Sequence, residues 1–458
     1  MSHSCRRPPS EDQLPSTGEE NKSWDLSPER SKTVTQVVSH DIATQALGNI
    51  DELSFPEGGK HAWLAVVGAF FACFAAFEMT NAIGAFQNWV MTHQLRDESA
   101  SAIGWLFGVN SFVLIFCGLF VGPPSDIFGT QIPLRAGAVL CVVFYVVLGY
   151  CHEYWHFMLA VGVLAGLASS LLFVPSIVTV GQYFARRRGV ATGLALSGGS
   201  IGGIVVPIML EILLPRIGWV WTTRLFALLT LVLGALACLL VRPRLAPTQT
   251  LKGFTSMLPD FSTYREGTFF ATSFGIFFLD TALFIPLAYL PTYTTAQGFS
   301  TSTAYSTLAY LNVGSCLGRW IPAAVSDRIG RFNTMMITVS LCAICTLTTW
   351  LSVGSSIPGI IIYAVFFGFA SGSNLSLAPV CVGQLCDIKS YARYYTTAVF
   401  LASFGALSGN PVSGALLQVN GGRYWGLIVY TGLCYVAALV CFGVARTRAV
   451  GFGLSKIF

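Results

Sequence analysis

Residues 166–182 read GLASSLLFVPSIVTVGQ, and residues 368–384 read GFASGSNLSLAPVCVGQ. Both stretches begin with Gly-x-Ala-Ser and end with Gly-Gln, and the second follows the first by 202 residues. The shorter motif Ser-Asp-x-x-Gly occurs at residues 125–129 and returns 201 residues later at 326–330. Two matches at nearly the same offset predict that the chain consists of two copies of one unit.

The composition places these units in a lipid bilayer. Hydrophobic residues make up 54% of the 458 residues, charged residues make up 10%, and the mean hydropathy is +0.66. A soluble domain carries about 25% charged residues, so this chain cannot cover a comparable surface with charge. The net charge of +5 is scattered between apolar runs rather than gathered on one face, so we expect no nucleic-acid partner.

Apolar stretches of roughly 20 residues, long enough to span a bilayer as helices, follow a polar start. They predict an all-α integral membrane fold of twelve transmembrane helices in two pseudo-symmetric six-helix bundles. The predicted helices are 62–89, 102–122, 133–151, 156–183, 190–214, 220–241, 268–290, 303–325, 333–353, 358–385, 395–418 and 424–445. The predicted regions are a disordered cytosolic tail (1–55), an N-terminal bundle (56–241), a cytosolic central loop (242–266), a C-terminal bundle (267–445) and a cytosolic tail (446–458).

The positive charges predict the orientation of these helices. Fifteen Lys and Arg residues fall in the loops and C-terminal tail on the side of the chain termini, whereas only Arg96, Arg216 and Arg423 fall on the other side. Loops rich in Lys and Arg stay in the cytosol. We therefore expect both termini in the cytosol, and we expect the plasma membrane rather than an organelle.

Charged residues inside predicted helices are the first candidates for function. Glu78 in helix 1 and Asp280 in helix 7 lie 202 residues apart, so they occupy corresponding places in the two copies. A charge at a helix centre costs roughly 2.5–3.5 kcal/mol on insertion scales, so it needs a partner or water. The two carboxyls are either a site for protons or solute, or a pair hydrogen-bonded between helices.

Arg319 in helix 8 is the third intramembrane charge. Arginine does not lose its proton in proteins. The residue either binds an anionic group of a solute, pairs with a carboxylate, or extends its side chain to the cytosolic interface.

The loop after helix 8 predicts a gate at the cytosolic side. Its residues Asp327, Arg328, Gly330 and Arg331 are partly matched after helix 2 by Asp126 and Gly129. An Asp at a helix end accepts hydrogen bonds from a neighbouring helix N-terminus, and the arginines can bridge to carboxylates or helix C-termini. Such a cluster would latch the cytosolic side closed, although the charges could also serve only to set the topology.

Glycines at four-residue spacing predict close helix packing. They occur in helix 5 within the run Gly193-Leu-Ala-Leu-Ser-Gly198-Gly199-Ser-Ile-Gly202-Gly203, in helix 8 as Gly314 and Gly318, and in helix 11 as Gly405 and Gly409. The helix 5 run lacks the Gly-Lys-Ser/Thr ending of a nucleotide-binding loop and no strand precedes it.

Several motifs resemble a known family. Residues 56–63 (PEGGKHAW) followed by residues 67–70 (VGAF) resemble the entry to helix 1 of the monocarboxylate transporter family, most closely its fungal branch. Residues 186–195 (RRRGVATGLA) are similar to the helix 5 signature of that family. The loop at 327–331 resembles the cytosolic motif of the major facilitator superfamily. The resemblance covers about residues 56–445 and implies that superfamily's fold, with a solute site between the halves near mid-membrane.

The chain departs from the family at two positions. The helix 1 lysine of animal proton–lactate carriers aligns with Asn81, and the aspartate one turn before the helix 8 arginine aligns with Ser315, whereas Arg319 itself matches. The resemblance to the fungal branch implies other solutes, including secondary metabolites for export and vitamins such as riboflavin.

These observations predict a carrier for a small organic solute, either an organic anion or a secondary metabolite, that works by alternating access. In this architecture helices 1, 4, 5, 7, 8, 10 and 11 line the passage. Aromatic residues there, namely Phe77, Phe278 and Tyr310, would stack on the solute, and Asn81, Asn312 and Asn374 would give hydrogen bonds, although ordinary packing is an alternative for each. We expect a monomer in the lipid bilayer, with no cofactor, no metal and no enzymatic activity, driven by protons if coupled at all.

Three alternatives differ in direction or class. One is an uptake carrier for a monocarboxylate or a vitamin. A second is a membrane sensor that transports nothing. A membrane enzyme would need a catalytic cluster, and only His152, Glu153 and His156 lie together, in a short outer loop.

Overall fold

The computed structural model describes residues 56–184, 187–244, 260–386 and 391–451, and the regular secondary structure in these ranges is helical. The predicted tail 1–55, Arg186, most of the central loop 242–266 and the last residues of the C-terminal tail lie outside them. A helix satisfies its own backbone hydrogen bonds, as hydrocarbon surroundings require.

The helices are numbered by membrane crossing. The first half contains α1a (Lys60–Asn81), α1b (Ile83–Thr92), α2 (Ala100–Phe128), α3 (Gln131–Leu148), α4 (Tyr154–Tyr183), α5 (188–217) and α6 (219–240). The second half contains α7 (Gly267–Ala296), α8 (Thr301–Ile329), α9 (Arg331–Trp350), α10 (Ile357–Gly383), α11 (Tyr391–Val419) and α12 (Trp425–Val450), preceded by a short 3₁₀ turn at Phe261–Arg265.

Twelve membrane crossings within the described residues confirm the predicted fold. Ten helical segments are both long and apolar enough to cross a membrane. The longest, Gly189–Leu240, contains non-helical backbone at Gly218 (φ 73°, ψ 176°), which divides it into α5 and α6. The remaining crossing is α8, whose 29 residues are more polar because they include many Ser and Thr side chains.

Two sides of the molecule follow from this order. The termini side is the one on which α1a begins at Lys60 and α12 ends at Val450. The distal side is the opposite one, where the chain turns at Gly218.

The two halves pack in equivalent ways. In the first half α1a packs on α5 and α2 packs on α4, and in the second half α7 packs on α11 and α8 packs on α10. Between the halves, α2 packs on α11 and α5 packs on α8. The sequence repeat relates α2 to α8 and α5 to α11, so these two interfaces are equivalent and the halves have the predicted pseudo-symmetry.

The glycines that open the two quoted stretches make the same contact in each half. A Cβ added to Gly166 of α4 would lie 2.7 Å from the carbonyl oxygen of Asn110 in α2. A Cβ added to Gly368 of α10 would overlap the carbonyl oxygen of Leu311 in α8. The repeated sequence therefore marks a repeated helix contact, in which the backbones approach too closely for any side chain.

The other glycine motifs confirm the predicted packing. A Cβ on Gly198 would overlap the carbonyl oxygen of Phe70, and one on Gly202 would lie 2.9 Å from Cβ of Glu78, so both bring α5 onto α1a. A Cβ on Gly314 or Gly318 would overlap the α10 backbone, and one on Gly405 or Gly409 would overlap the α7 backbone.

The turns after α2 and α8 also repeat. Gly129 has φ 89° and Gly330 has φ 94°, and each ends a helix in the left-handed region that a side chain disfavours. Both glycines belong to the Ser-Asp-x-x-Gly motif, so the motif sets a helix end in both halves.

Replacing Gly368 by Ala should destabilise the protein, because the new Cβ overlaps backbone that cannot move aside. We expect a loss of about 1–3 kcal/mol, measured as a lower melting temperature in lipid nanodiscs. The matched control is Gly443→Ala in α12, where the nearest atom to a new Cβ is the Met336 side chain at 3.8 Å. An unchanged melting temperature for Gly368→Ala would contradict the close contact.

Candidate functional site

A cavity lies between the two halves at mid-membrane. The space between its walls, together with the open space at its mouth, has a volume of about 490 Å³. It is lined by Phe77, Thr80 and Asn81 of α1a, Leu283, Phe284 and Leu287 of α7, Leu311, Asn312, Ser315 and Arg319 of α8, and Ser371, Gly372 and Leu375 of α10. The second half thus supplies three walls and the first half supplies one.

Two amides fix the junction of α1a, α5 and α8 at this cavity. Asn81 Nδ2 donates to the carbonyl oxygen of Gly199 at 2.8 Å. Asn312 Nδ2 is 3.2 Å from the carbonyl oxygens of both Asn81 and Gly203 and 3.0 Å from that of Leu308. The donor groups of both amides are therefore directed at backbone, which leaves their oxygens as the acceptors they can offer a solute.

Arg319 is a buried cation on the cavity wall. Its side chain is 4% exposed, its Nη1 donates to the carbonyl oxygen of Leu196 in α5, and its buried Nε has no hydrogen-bond partner among the described residues. No carboxylate belongs to the cavity wall, and none lies within 4 Å of the guanidinium in the described part of the chain. The side chain does not extend to the interface, so of the three predicted roles the geometry favours binding an anion.

The remaining polar groups of the cavity are hydroxyls. Ser315 lies one helical turn before Arg319, and its Oγ is 3.5 Å from Oγ of Ser200 in α5. Thr80 donates to Oδ1 of Asn110 at 3.4 Å. The cavity therefore combines one cation, a few neutral polar groups and mainly apolar walls.

Glu78 lies outside the set of residues that line the cavity. It is fully buried inside the first half, where Gly202 packs on it and the hydroxyl of Tyr145 and the thiol of Cys141 are its polar neighbours. Neither carboxyl oxygen has a hydrogen-bond partner among the described residues. Phe77, the preceding residue, does face the cavity, so the cavity-lining residue and the acid lie on different faces of α1a.

Asp280 has the corresponding position in the second half. It is half-buried on α7, it is not among the residues that line the cavity, and Tyr435 of α12 is a titratable neighbour. Glu78 therefore lies in the interior of its bundle, whereas Asp280 lies one helical turn before Leu283 and Phe284 of the cavity wall.

Of the other residues predicted to line the passage, one lines the cavity and three lie elsewhere. Phe77 lines it and packs edge-to-face on Phe173 at 4.9 Å. Tyr310 is 42% exposed on the outer surface of α8. Asn374 is fully buried in the second half, where its Oδ1 accepts from Thr338 at 3.2 Å. Phe278 packs on the neighbouring Phe277 at 5.3 Å and is not a cavity residue.

Sequence reasoning predicted that helices 7 and 10 line the passage, but it did not identify the residues that form these walls. Leu283, Phe284, Leu287 and Leu375 carry no polar signal that would distinguish them from other membrane-facing residues. Ser371 could have been found, because it is the serine of the repeated Gly-x-Ala-Ser motif.

The predicted gate loops are described in part. Gly129 and Gly330 form the turns, Arg328 is exposed and Arg331 is half-buried. The side chains of Asp126 and Asp327 lie outside the described part of the chain, so the latch stays a prediction. On the same side, Trp320 Nε1 of α8 donates to the carbonyl oxygen of Gly193 in α5 at 3.3 Å.

Comparison with known proteins agrees with this architecture. Residues 68–386 match the Major Facilitator Superfamily, and the chain belongs to that superfamily. It is 30% identical to a riboflavin transporter of Saccharomyces cerevisiae, over 95% of this chain and 87% of the relative. It is 36% identical to an MFS-type transporter of Aspergillus fumigatus, over 88% of this chain and 92% of the relative. It is 32% identical to an aspyridones efflux protein of Emericella nidulans, over 87% of this chain and 80% of the relative.

The protein is therefore a multi-pass membrane transporter of a small-molecule solute and not an enzyme, as the sequence predicts. Members of this superfamily expose a central site to one side of the membrane at a time by rocking their halves. Such a site lies at the interface between the halves, and the cavity described here lies between α1a and the second half.

Replacing Asn312 by Leu should loosen the junction of α1a, α5 and α8, because the bonds from its amide to two other helices are lost. We expect a loss of about 1–2 kcal/mol, measured as a lower melting temperature in nanodiscs. The control is Tyr310→Phe, two residues away but on the exposed surface. Equal melting temperatures for the two variants would show that the amide does not hold the junction.

Proposed function

We propose that the protein exports an amphipathic organic anion and belongs to the fungal branch of the monocarboxylate porter family. The observation that carries this proposal is Arg319, a buried guanidinium on the cavity wall with no carboxylate beside it. A buried cation needs a counter-charge. A carboxylate on the solute would supply it, and the planar guanidinium can bind both oxygens of such a group.

The walls of the cavity support a solute larger than a simple monocarboxylate. Ligand sites are mostly apolar clefts with a small number of polar groups, and this cavity has that composition. Phe77 and Phe284 come from helices of different halves and could stack on a ring, while leucines surround the remainder. The solute we propose is a secondary metabolite with a carboxylate at one end and an apolar or aromatic body.

Export is favoured by the character of the solute and by the relatives. One relative is an efflux protein for aspyridones. The positive loops favour the cytosol for the termini side, and we propose this orientation, the plasma membrane as the location and a monomer as the working unit. On this orientation the gate loops around Asp126 and Asp327 form the cytosolic latch.

Uptake of a riboflavin-like vitamin is the second candidate. Its support is the 30% identity to a riboflavin transporter over most of both chains, together with aromatic rings at the cavity that suit a flat solute. A neutral ring system leaves Arg319 without a counter-charge, so the anion is the better match.

The charge of the solute can be tested directly. Purified protein should be stabilised by a panel of aromatic carboxylic acids and not by their methyl esters, as measured by thermal shift. Arg319→Lys should weaken binding at least about tenfold, because the charge remains while the planar fork is lost. The control is Arg216→Lys, near the distal end of α5, which is exposed and outside the cavity. Equal binding of acids and esters would refute an anionic solute.

Glu78 and Asp280 are the candidate proton sites if transport is coupled. A fully buried carboxyl without a cation is expensive to ionise in a membrane interior, so Glu78 would carry its proton in this conformation. Because neither acid touches the cavity, such coupling would act through the position of α1a and α7 and not through contact with the solute.

Glu78→Gln should abolish accumulation driven by a pH gradient in proteoliposomes and leave counterflow exchange measurable, because the amide has the same shape but takes up no proton. The control is Glu211→Gln, a half-buried acid of α5 that does not line the cavity. Equal loss of both activities in a folded variant would contradict a role in coupling.

A further inference from the structure

The distal side of the cavity is closed by close contacts between the halves, which we call the distal seal. A Cβ on Gly84 of α1b would overlap the carbonyl oxygen of Leu287 in α7. A Cβ on Gly104 of α2 would lie 2.9 Å from the carbonyl oxygen of Asn410 in α11, and one on Gly414 of α11 would lie 2.7 Å from that of Ala100. Leu287 also lines the cavity, so the seal is its distal wall.

The backbone of the seal is well bonded. The hydroxyl of Tyr289 donates to the carbonyl oxygen of Asn410 at 3.0 Å, and that of Ser101 donates to the carbonyl oxygen of Pro411 at 3.1 Å. The second of these bonds joins α2 to α11, and the first joins α7 to α11. The seal is therefore an ordered interface.

Several polar side chains of the seal, unlike its backbone, have no hydrogen-bond partner among the described residues. Asn410 is fully buried, and neither its Oδ1 nor its Nδ2 has a hydrogen-bond partner among the described residues. The hydroxyl of Ser413, one turn further along α11, and Oε1 of Gln87 in α1b are also fully buried without a protein partner.

Among the described residues, Asn410 is the one buried amide for which both side-chain polar atoms lack a partner. Gln87 donates through Nε2 to Sδ of Met91 at 3.9 Å and lacks a partner only at Oε1, as do Gln94, Gln131 and Gln384 elsewhere. Asn110 Nδ2 donates to the carbonyl oxygen of Val161 at 2.8 Å, and Asn312 and Asn374 are bonded as described above. The amide that is unpartnered at both atoms thus lies on α11 at the seal between the two halves.

We propose that Asn410, with Ser413 and Gln87, is a release element that keeps the distal seal reversible. A buried polar group without a partner destabilises the conformation that buries it. When α7 and α11 move away from α1b and α2, the same groups meet water and regain their hydrogen bonds. The closed and open conformations thereby stay close enough in free energy for the carrier to alternate. The proposal does not depend on the identity of the solute.

Asn410→Leu should lock the seal, because leucine keeps the branching of the asparagine side chain at Cγ and removes its polar atoms. In full-length protein in nanodiscs, hydrogen–deuterium exchange at residues 284–296 and 405–419 should slow at least about fivefold. The melting temperature should not fall. Ser413→Ala should act in the same direction, and it is a second test that does not require a larger side chain to fit.

Asn110→Leu is the matched control, since it makes the same change at an equally buried amide that has partners. It should lower the melting temperature without slowing exchange at the distal ends of α7 and α11. If Asn410→Leu and Ser413→Ala instead lower the melting temperature or speed exchange there, the polar groups stabilise the closed seal and the proposal is wrong.

Discussion

Direct contact between helix backbones at glycine is the constraint on which the rest of the structure depends. Helices in lipid gain little by hiding apolar surface from one another, because the surrounding chains are equally apolar, and they associate through close packing and hydrogen bonds instead. Gly166 and Gly368 make that contact inside each half, while Gly84 and Gly104 make it between the halves. The same chemistry therefore builds the rigid bundles and the interface that must open.

The same close approach shapes the cavity. Because Gly203 has no side chain, the Asn312 amide can lie against its backbone, and a Cβ at Gly203 would overlap that amide. Arg319 likewise reaches the carbonyl oxygen of Leu196 across the α5–α8 interface. The amide donors at the cavity are bonded to the backbone of neighbouring helices. Arg319 is therefore the strongest hydrogen-bond donor that remains for a solute. The polar groups that the cavity offers are thus those whose hydrogen bonds are not already used between packed helices.

The sequence predicts the fold better than the site, and individual residues show why. The length of the apolar stretches and the spacing of the two repeated motifs identify the membrane crossings, because both can be read directly along the sequence. Asn81, Asn312 and Arg319 were predicted as site residues and do line the cavity. Tyr310 and Asn374 were predicted on the same grounds, yet one faces outward and the other bonds Thr338.

Some predicted residues line the cavity and others do not because the sequence does not fix how each helix is rotated about its own axis. In a transporter a polar side chain can face a cavity or the bundle interior, and the sequence pattern looks the same for both. On α8 the cavity face is marked by Asn312, Ser315 and Arg319, which leaves Tyr310 on another face of the helix. Helix 7 was predicted to line the passage, but the residues of its wall could not be identified, since Leu283, Phe284 and Leu287 resemble the apolar residues of any membrane helix. The position of these faces follows from contacts with the other half, which are not local in sequence.

The placement of Glu78 gives α1a two faces with different contacts. Phe77 and Glu78 are neighbours on α1a, one facing the cavity and the other packed against Gly202 and beside Tyr145. A shift of α1a that makes room for a solute must also change the surroundings of the carboxyl, because both are carried by one rigid helix. Asp280 of α7 is placed differently, since it lies one helical turn before Leu283 and Phe284 on the same face of its helix. A ligand can shift an equilibrium only through contacts that differ between the two conformations. Because a movement of α1a changes the contacts of both of its faces at once, helix position is sufficient to link a group behind the wall to a solute in front of it.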